Sequence, residues 1–505
     1  MTLDAQSKTR AKTPARPAHP QQPAQRDQGD AAINKGMDMR HHGMSELRGS
    51  NPPHSTAYAS GRFGRLFPLL LRFSPDPEAL IALGEAGGPM DANDPPPPAA
   101  PNAPDNPDIT AGFTFLGQFV DHDITFDPTS SLERQSDPEA VTNFRTPNLE
   151  LDNLYGSGPG ASPHLYQRAS RGGDPNKLLV GLDTEGKPND LPRNQEDMAL
   201  IGDPRNDENL IVSQLHLAFI KFHNAIVDDV KTDPPVGRTI FEEAQRRVRW
   251  HYQWMLVHEF IPHICGKAIV EDVLKNGRKF YGWRNDPFIP VEFSVAAYRF
   301  GHSQVRPGYR ISAEFAAGLF APTPTVPPAE PNDLSGGRRI LPKQVIDWKN
   351  FFKTDGGTPQ QSKAIDTKIS TPLLNLPFPS GASGDPKSLA TRNLLRHLTF
   401  GLPSGQSVAE AMREPILKPD ELADLAPFGL DYETPLWFYI LKEAELRAGG
   451  KHLGPVGGRI VAEVLIGLLE GDRASYLRAH WLWKPLYGSD GNFTMVDLLK
   501  KAGVA

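Results

Sequence analysis

The sequence predicts a mainly α-helical protein: one large helical domain with long irregular loops and a disordered N-terminal segment. Three observations carry that prediction. First, RNDENLIVSQLHLAFIKFHNAIVDDV sets Leu210, Ile211, Leu215, Phe219, Phe222 and Ile226 on one stripe, the period of an amphipathic helix. Second, further long stretches are apolar enough to pack against it, whereas few segments show the alternation of a strand and no internal repeat is found. Third, proline is frequent, 50 residues in 505, about twice the average of ~5%, and much of it lies early in the chain and in loops. A length of 505 residues suits two to four domains, or one large domain with appendages; the continuous helical pattern favours the second.

Taken in order, residues 1–50 are polar and rich in Ala, Pro, Gln, Lys and Arg. They cannot bury enough apolar surface to offset chain entropy and are expected to be disordered. Within them GMDMRHHGM sets two histidines among three methionines; soft ligands of this kind suit copper, and a flexible docking segment is the commoner outcome. Residues 51–108 form a partly ordered, Pro-rich lead-in. AYASGRFGRLFPLLLRF is its apolar part and DANDPPPPAAPNAPDNPD a stiff, extended connector. From 109 to 505 the helical domain follows. After the stripe come TIFEEAQRRVRWHYQWMLVHEFIPHI, then VEFSVAAYRFGHS, more apolar and so central. SLATRNLLRHLTFGLP closes with Gly401 and Pro403 as stop signals, and GGRIVAEVLIGLLEGD is the last. Long loops fall at 318–340 and 353–386.

Composition excludes several function classes. The net charge of -6, with mixed signs, gives no field that would recruit nucleic acid or an anionic membrane. No run reaches the ~20 apolar residues of a membrane span. The basic residues of MTLDAQSKTRAKTPARP have no apolar core region behind them, so no secretory signal peptide is expected; a leaderless export route and the cytoplasm both stay open. A single cysteine, Cys265, forms no intrachain disulfide, and in HEFIPHICGK it reads as an inert, buried thiol.

Four stretches carry candidate chemistry. In FLGQFVDHDITFD, helical spacing puts Gln118, Asp121 and His122 on one face, while Asp123 points elsewhere by about 100°. A histidine in a satisfied polar turn is the commoner outcome for such a cluster; an acid–base centre is the alternative. In GDPRNDENL, Arg205 and Glu208 are also three apart, where Asp203 and Pro204 mark a helix start; an exposed ion pair is the bland reading. In AAYRFGHSQVRP, His302 ends an apolar run. Asn393 lies in the RNLLRH helix. His216 and His223, seven apart, read as core and rim residues. GSGPG precedes no clear helix start, and Asn492-Phe-Thr494 is a glycosylation triplet by pattern only.

Together these stretches resemble the peroxidase–cyclooxygenase superfamily, the animal-type haem peroxidases, over roughly residues 110–485. GQFVDHD, the TPNLELDNLYGSGP loop, GDPRNDENL with HLAFIKFHN, YRFGHS, RNLLRHLTFGLP and IGLLEGDR carry the likeness, and PRNDENLI resembles bacterial members. The resemblance implies haem b and hydrogen peroxide, with a small organic reductant or halide as donor. It makes His122 the distal histidine, Gln118 the distal glutamine that helps place water or halide, and Arg205 the distal arginine. Asp121 and Glu208 match two carboxylates that become esters to haem methyl groups in mammalian members. His302 matches the proximal iron ligand, Asn393 its hydrogen-bond partner, and Arg299 an arginine beside the haem propionates. Asp123 matches the first ligand of a calcium site completed by Thr146, Asn148, Glu150 and Asp152.

Physical chemistry makes these roles coherent. A neutral imidazole can take a proton from hydrogen peroxide and return it to the leaving oxygen; a fixed guanidinium stabilises the charge that develops there; and an all-oxygen loop suits calcium. Departures exist. Asn209 stands where some mammalian members carry a methionine bonded to a haem vinyl group, so that link is not expected. Glu150 stands where an aspartate is expected in the calcium loop. A fatty-acid dioxygenase of the same superfamily is the first rival reading, disfavoured because Arg299, not a tyrosine, sits three residues before His302, with Tyr298 about 100° away on a regular helix. A non-catalytic helical scaffold with a relic site is the second.

Overall fold

Asp76 starts the first helix by accepting from the Glu78 amide (3.1 Å), with Pro77 in the first turn, the arrangement that satisfies free amides at a helix start. This computed structural model describes residues 63–97, 100–125, 147–283, 286–321, 332–377, 386–480 and 482–505. By internal contacts the chain divides into Met1–Glu46 and Leu47–Ala505; only the second contains described residues. The expected disorder of residues 1–50, their Met/His run and Thr146 all lie outside the described residues.

Nine α-helices of eight or more residues occur among the described residues: α1 Pro77–Gly84, α2 Ala111–Ile124, α3 Leu210–Thr232, α4 Ile240–Met255, α5 Lys267–Asn276, α6 Leu389–Phe400, α7 Gly405–Met412, α8 Leu436–Ala448 and α9 Pro455–Gly471. Six short strands pair two by two: β1 Phe63–Gly64 with β3 Ile289–Pro290 in parallel, β2 Asp105–Thr110 with β6 Gln361–Lys363 antiparallel, and β4 Gly308–Arg310 with β5 Ala316–Gly318 antiparallel. The fold is mainly α, as the sequence predicts.

The partly ordered lead-in contains α1, which packs on α6, and β2 spans the expected boundary at 108/109. One expectation needs correction. The stretch VEFSVAAYRFGHS is helical but irregular: a π turn (Glu292–Ala296), a 3-10 turn (Ala297–Phe300) and one α turn (Gly301–Gln304) follow one another. Its buried Glu292 accepts from the amides of Leu66 (2.9 Å) and Phe67 (3.2 Å).

Local chemistry explains the helices that matter for the cavity. The first amides of α2 donate to the carbonyls of Gln360 (2.9 Å) and Phe351 (3.1 Å), so its start is satisfied by a neighbouring loop rather than by its own side chains. Gly112 is required there, because a Cβ would lie 2.4 Å from the Phe352 ring. Asn209 caps α3, accepting from the Val212 amide (2.9 Å). Thr239 and Glu242 close a reciprocal capping box at the start of α4. Gly401, at φ 54°, stops α6 as expected.

The core packs α3 against α2 and α4, and α9 against α5 and α8. Helix α3 is long and apolar enough to cross a bilayer, yet 83% of its apolar window is buried inside this fold, as befits a core helix. Cys265 is buried, and burial pushes its thiol pKa up, consistent with an inert thiol.

Candidate active site

A cavity of about 910 Å³ opens between α2, the Pro204–Asp207 turn, the 297–304 segment and α6. Eight residues singled out from sequence line it: Gln118, Asp121, His122, Arg205, Glu208, Arg299, His302 and Asn393. They come from four stretches nearly 280 residues apart in the chain, and the fold brings all of them to one space.

Helix α2 presents Gln118, Asp121 and His122 along one face, while Asp123 turns away from the cavity. His122 is buried. Its Nδ1 lies 2.7 Å from Asn206 Oδ1, and since that oxygen only accepts, Nδ1 carries the proton and Nε2 is a bare base. Burial first, then the Arg205 charge, lower its pKa to about 4, so the ring is neutral near pH 7. Asp121 accepts from the Thr125 hydroxyl (3.1 Å).

The GDPRNDENL motif forms a 3-10 turn, Pro204–Asp207, and α3 begins only at Leu210. The bland expectation of an exposed Arg205–Glu208 pair fails because Arg205 is buried. Its Nε and Nη2 donate to Asp203 (3.1 and 2.8 Å), and Nη2 also reaches the carbonyls of His122 (3.3 Å) and Thr125. Burial works against its charge, but Asp203 most of all, with Asp121 and Glu208, raises its pKa above the ordinary value. The turn is held from behind by Arg193, which bonds Asp207 with both terminal nitrogens (2.6 and 2.8 Å) and Asp190 (2.9 and 3.0 Å). Gly336 seats the Glu208 end: its amide donates to the Glu208 carbonyl (2.9 Å), and a Cβ there would lie 1.8 Å from the Asp207 carbonyl oxygen.

His302 Nδ1 lies 2.6 Å from Asn393 Nδ2, while Arg299 donates to Asn393 Oδ1 (3.2 Å). Burial first, then Arg299 and Arg396, lower the His302 pKa to about 3. With Asn393 donating, Nδ1 accepts and the proton sits on Nε2; binding a metal through Nε2 requires the opposite tautomer, hence a half-turn of the Asn393 amide. Trp437 Nε1 donates to the Arg299 carbonyl (3.2 Å). Tyr298 also lines the cavity, and its hydroxyl donates to the Gly117 carbonyl (3.3 Å). That corrects the expectation that it sits well round a regular helix: the π and 3-10 turns rewind the segment and bring Tyr298, Arg299 and His302 to the same cavity.

The loop expected to hold calcium is docked on α2 and Arg249. Asp123 Oδ1 accepts from the Asp152 amide (3.0 Å). Leu151 adopts a left-handed conformation at φ 61°, and Arg249 Nε donates to the Glu150 carbonyl (2.6 Å). The Glu150 carboxylate lies 4.0 Å from Arg249. Among the described residues no group of three or more His, Cys, Asp or Glu side chains is arranged to hold a metal ion.

Sequence reasoning missed four participants. Asn206 and Asp203 lie inside GDPRNDENL, where Asp203 reads only as a helix-start marker and Asn206 gives no signal. His216, read as core, is fully buried but bonded to Asn206 (2.9 Å). Gly336 gave no signal in the sequence.

The animal haem peroxidase family model matches residues 133–426, more than half of the sequence. The chain belongs to the animal haem peroxidase family. The matched region contains Arg205, Glu208, Arg299, His302 and Asn393 and starts downstream of Gln118–Asp123. Among curated family relatives, chorion peroxidase of Drosophila melanogaster is 27% identical over 380 residues, covering 71% of this chain and 44% of its own length. Thyroid peroxidase of Canis lupus familiaris is 26% identical over 209 residues, covering 40% of this chain and 21% of its own. The chain thus spans less than half the length of these relatives. In fold it is similar to peroxidase A of Dictyostelium discoideum (TM-score 0.58, 14% identity, 90% of this chain and 99% of that one). It is also similar to a fatty acid alpha-dioxygenase of Oryza sativa (TM-score 0.55, 16% identity, 85% and 76%).

Proposed function

We propose that this protein is a haem-dependent peroxidase that reduces hydrogen peroxide and oxidises small organic or halide donors. The observation that carries the reading is one cavity that holds a neutral imidazole with a bare Nε2, a buried guanidinium beside it, and a second, partly buried imidazole bonded to an amide. Its volume, about 910 Å³, lies within the ~300–1,000 Å³ of cofactor pockets. Haem, when bound, supplies the iron at which the peroxide bond is broken and the store of oxidising equivalents. His302 would hold that iron, with Asn393 setting its ring and Arg299 and Arg396 offering cationic partners to the carboxylates of the macrocycle. His122 Nε2 takes the proton from the peroxide and returns it to the leaving oxygen. Arg205, locked by Asp203, presents a fixed positive charge where negative charge develops. Gln118 accepts from Asn209 Nδ2 (3.3 Å), which directs its own amide protons elsewhere, available to water, peroxide or halide.

The test is haem reconstitution with two variants. His302→Ala should lose the Soret band. His122→Ala should keep it and react with peroxide about 10²–10⁴-fold more slowly, the usual worth of a general base. Reaction of His122→Ala at the wild-type rate would overturn the assignment. Esters from Asp121 and Glu208 to the haem belong to the proposal, supported by the place of both carboxylates in the cavity; free haem b after acid–acetone extraction would remove them. Calcium on Asp123 and the 146–152 loop is supported only by the Asp123–Asp152 contact, and a thermal midpoint unmoved by a chelator would exclude it. For the dioxygenase reading Tyr298 is the one favouring feature, and oxygen uptake with linoleate, independent of peroxide, would establish it.

A further inference from the structure

The charges that line the cavity are sorted by wall. Among the described lining residues the carboxylates, Asp121, Glu196, Asp207 and Glu208, all come from α2 and the 196–208 stretch, whereas the 297–304 segment and α6 contribute Arg299, Arg392 and Arg396 and no carboxylate. Arg392 and Arg396 stand four residues apart on α6, so their side chains serve one face of that helix. Leu389 and Leu395 line the cavity beside them.

Two of the three arginines belong to the surroundings of His302. The Arg299 and Arg396 charges act on its ring, and Arg299 also donates to Asn393 (3.2 Å). Arg392 is not among the charges that act on His302. It lies a turn nearer the start of α6, where its Nε donates to the Pro386 carbonyl (2.7 Å). That bond holds the guanidinium against the wall, so its planar fork needs little further ordering to meet a carboxylate. Haem b, when bound, brings two carboxylates, and the two arginines by His302 match them in number. The third cation, flanked by Leu389 and Leu395, suits an anion with an apolar body. We propose that Arg392 binds the carboxylate of the reducing donor, so that the protein selects organic acids over their neutral analogues.

This rests on the reading of the cavity as a haem peroxidase site, and binding measured without turnover separates the two claims. The full chain loaded with zinc protoporphyrin is titrated with p-hydroxyphenylacetate and with p-hydroxyphenylacetamide, which match in shape and differ in charge. The acid should bind about tenfold more tightly, roughly the worth of one charge-assisted contact. In Arg392→Met that preference should vanish while the porphyrin is retained; Arg392→Lys should keep part of it, and Arg396→Met should weaken porphyrin retention instead. With haem in place, Arg392→Met should raise the KM for the acid about tenfold with kcat little changed, the pattern of lost uniform binding. Equal affinity of acid and amide in the wild type overturns the proposal. So does a preference that survives in Arg392→Met, which would put the carboxylate on the metal or on another arginine. Loss of porphyrin from Arg392→Met also overturns it, by making that side chain a partner of the macrocycle. A chain that binds the acid through Arg392 yet does not react with peroxide overturns the peroxidase reading and leaves the carboxylate site intact.

Discussion

His122 and His302 are the same residue type in the same cavity, and each meets an asparagine through Nδ1. One meets the amide oxygen and the other the amide nitrogen, so the two rings hold their protons on different atoms. Spacing put Gln118, Asp121 and His122 on a shared face; Arg205, Glu208, Arg299, His302 and Asn393 were legible through the resemblance of their motifs to a known family. The amide orientations were not, because they depend on partners such as His216 and Arg299 that only the fold brings near. The depressed pKa of His122 gives a first prediction. A histidine acting as proton acceptor is competent above its pKa, so the peroxide reaction should persist through pH 5 and fall as pH drops through about 4; stopped-flow rates across pH 3.5–7 check this. Asn209 gives a second. Asn209→Leu removes both the cap of α3 and the donor to Gln118, and should cost about 1 kcal/mol, read as a lower denaturant midpoint.

At the scale of elements, the Pro204–Asp207 turn brings Arg205 to the site, and it is held by charge. Arg193 is buried between Asp190 and Asp207, all three at most 7% exposed at the side chain. Arg193→Ala leaves two buried carboxylates without their cation, and loss of one partner of a buried pair costs about 3–5 kcal/mol. Equilibrium unfolding measures it, and a change below about 1 kcal/mol would show the network to be dispensable. The turn itself was half legible: Asp203 and Pro204 announce a helical start, but the change from 3-10 turn to α-helix at Asn209 is set by Gly336 and Leu334 docking across it. The 291–304 segment shows a different limit. Its apolar run predicts a helix, and a regular one would separate Tyr298 from Arg299 by about 100°. The π and 3-10 turns, which periodicity does not register, alter that spacing.

At the scale of the whole molecule, burial of titratable groups shapes the response to pH. Besides His302, five buried histidines, His122, His216, His223, His251 and His397, have pKa values lowered to about 3–4. Below pH ~6.5 the unfolded chain protonates them and the folded one does not, so their contribution is present above 6.5 and is lost as pH falls. Glu259 and Glu443, raised to about 7, and Asp366, raised to about 6, act in the opposite sense between pH ~4.5 and 7. Asp207, Glu292 and Asp472 are raised too, so the buried histidines and these carboxyls oppose each other across this range, by about 1.4 kcal/mol per pH unit for each uncompensated proton. The helical class was legible from the stripe in α3, whereas α1, eight residues between the apolar lead-in and the Pro-rich connector, is too short for its periodicity to stand out.

The Tyr298 hydroxyl bonded to the Gly117 carbonyl ties the rewound segment to the middle of α2, so the two walls of the cavity are coupled at a point where neither shares a regular backbone ladder with the other. Walls joined in this way open together or not at all. Amide hydrogens of 111–124 and 293–304 should therefore exchange with deuterium as one cooperative unit. In Tyr298→Phe that unit should divide, with the 293–304 amides exchanging first while the helix amides keep their protection.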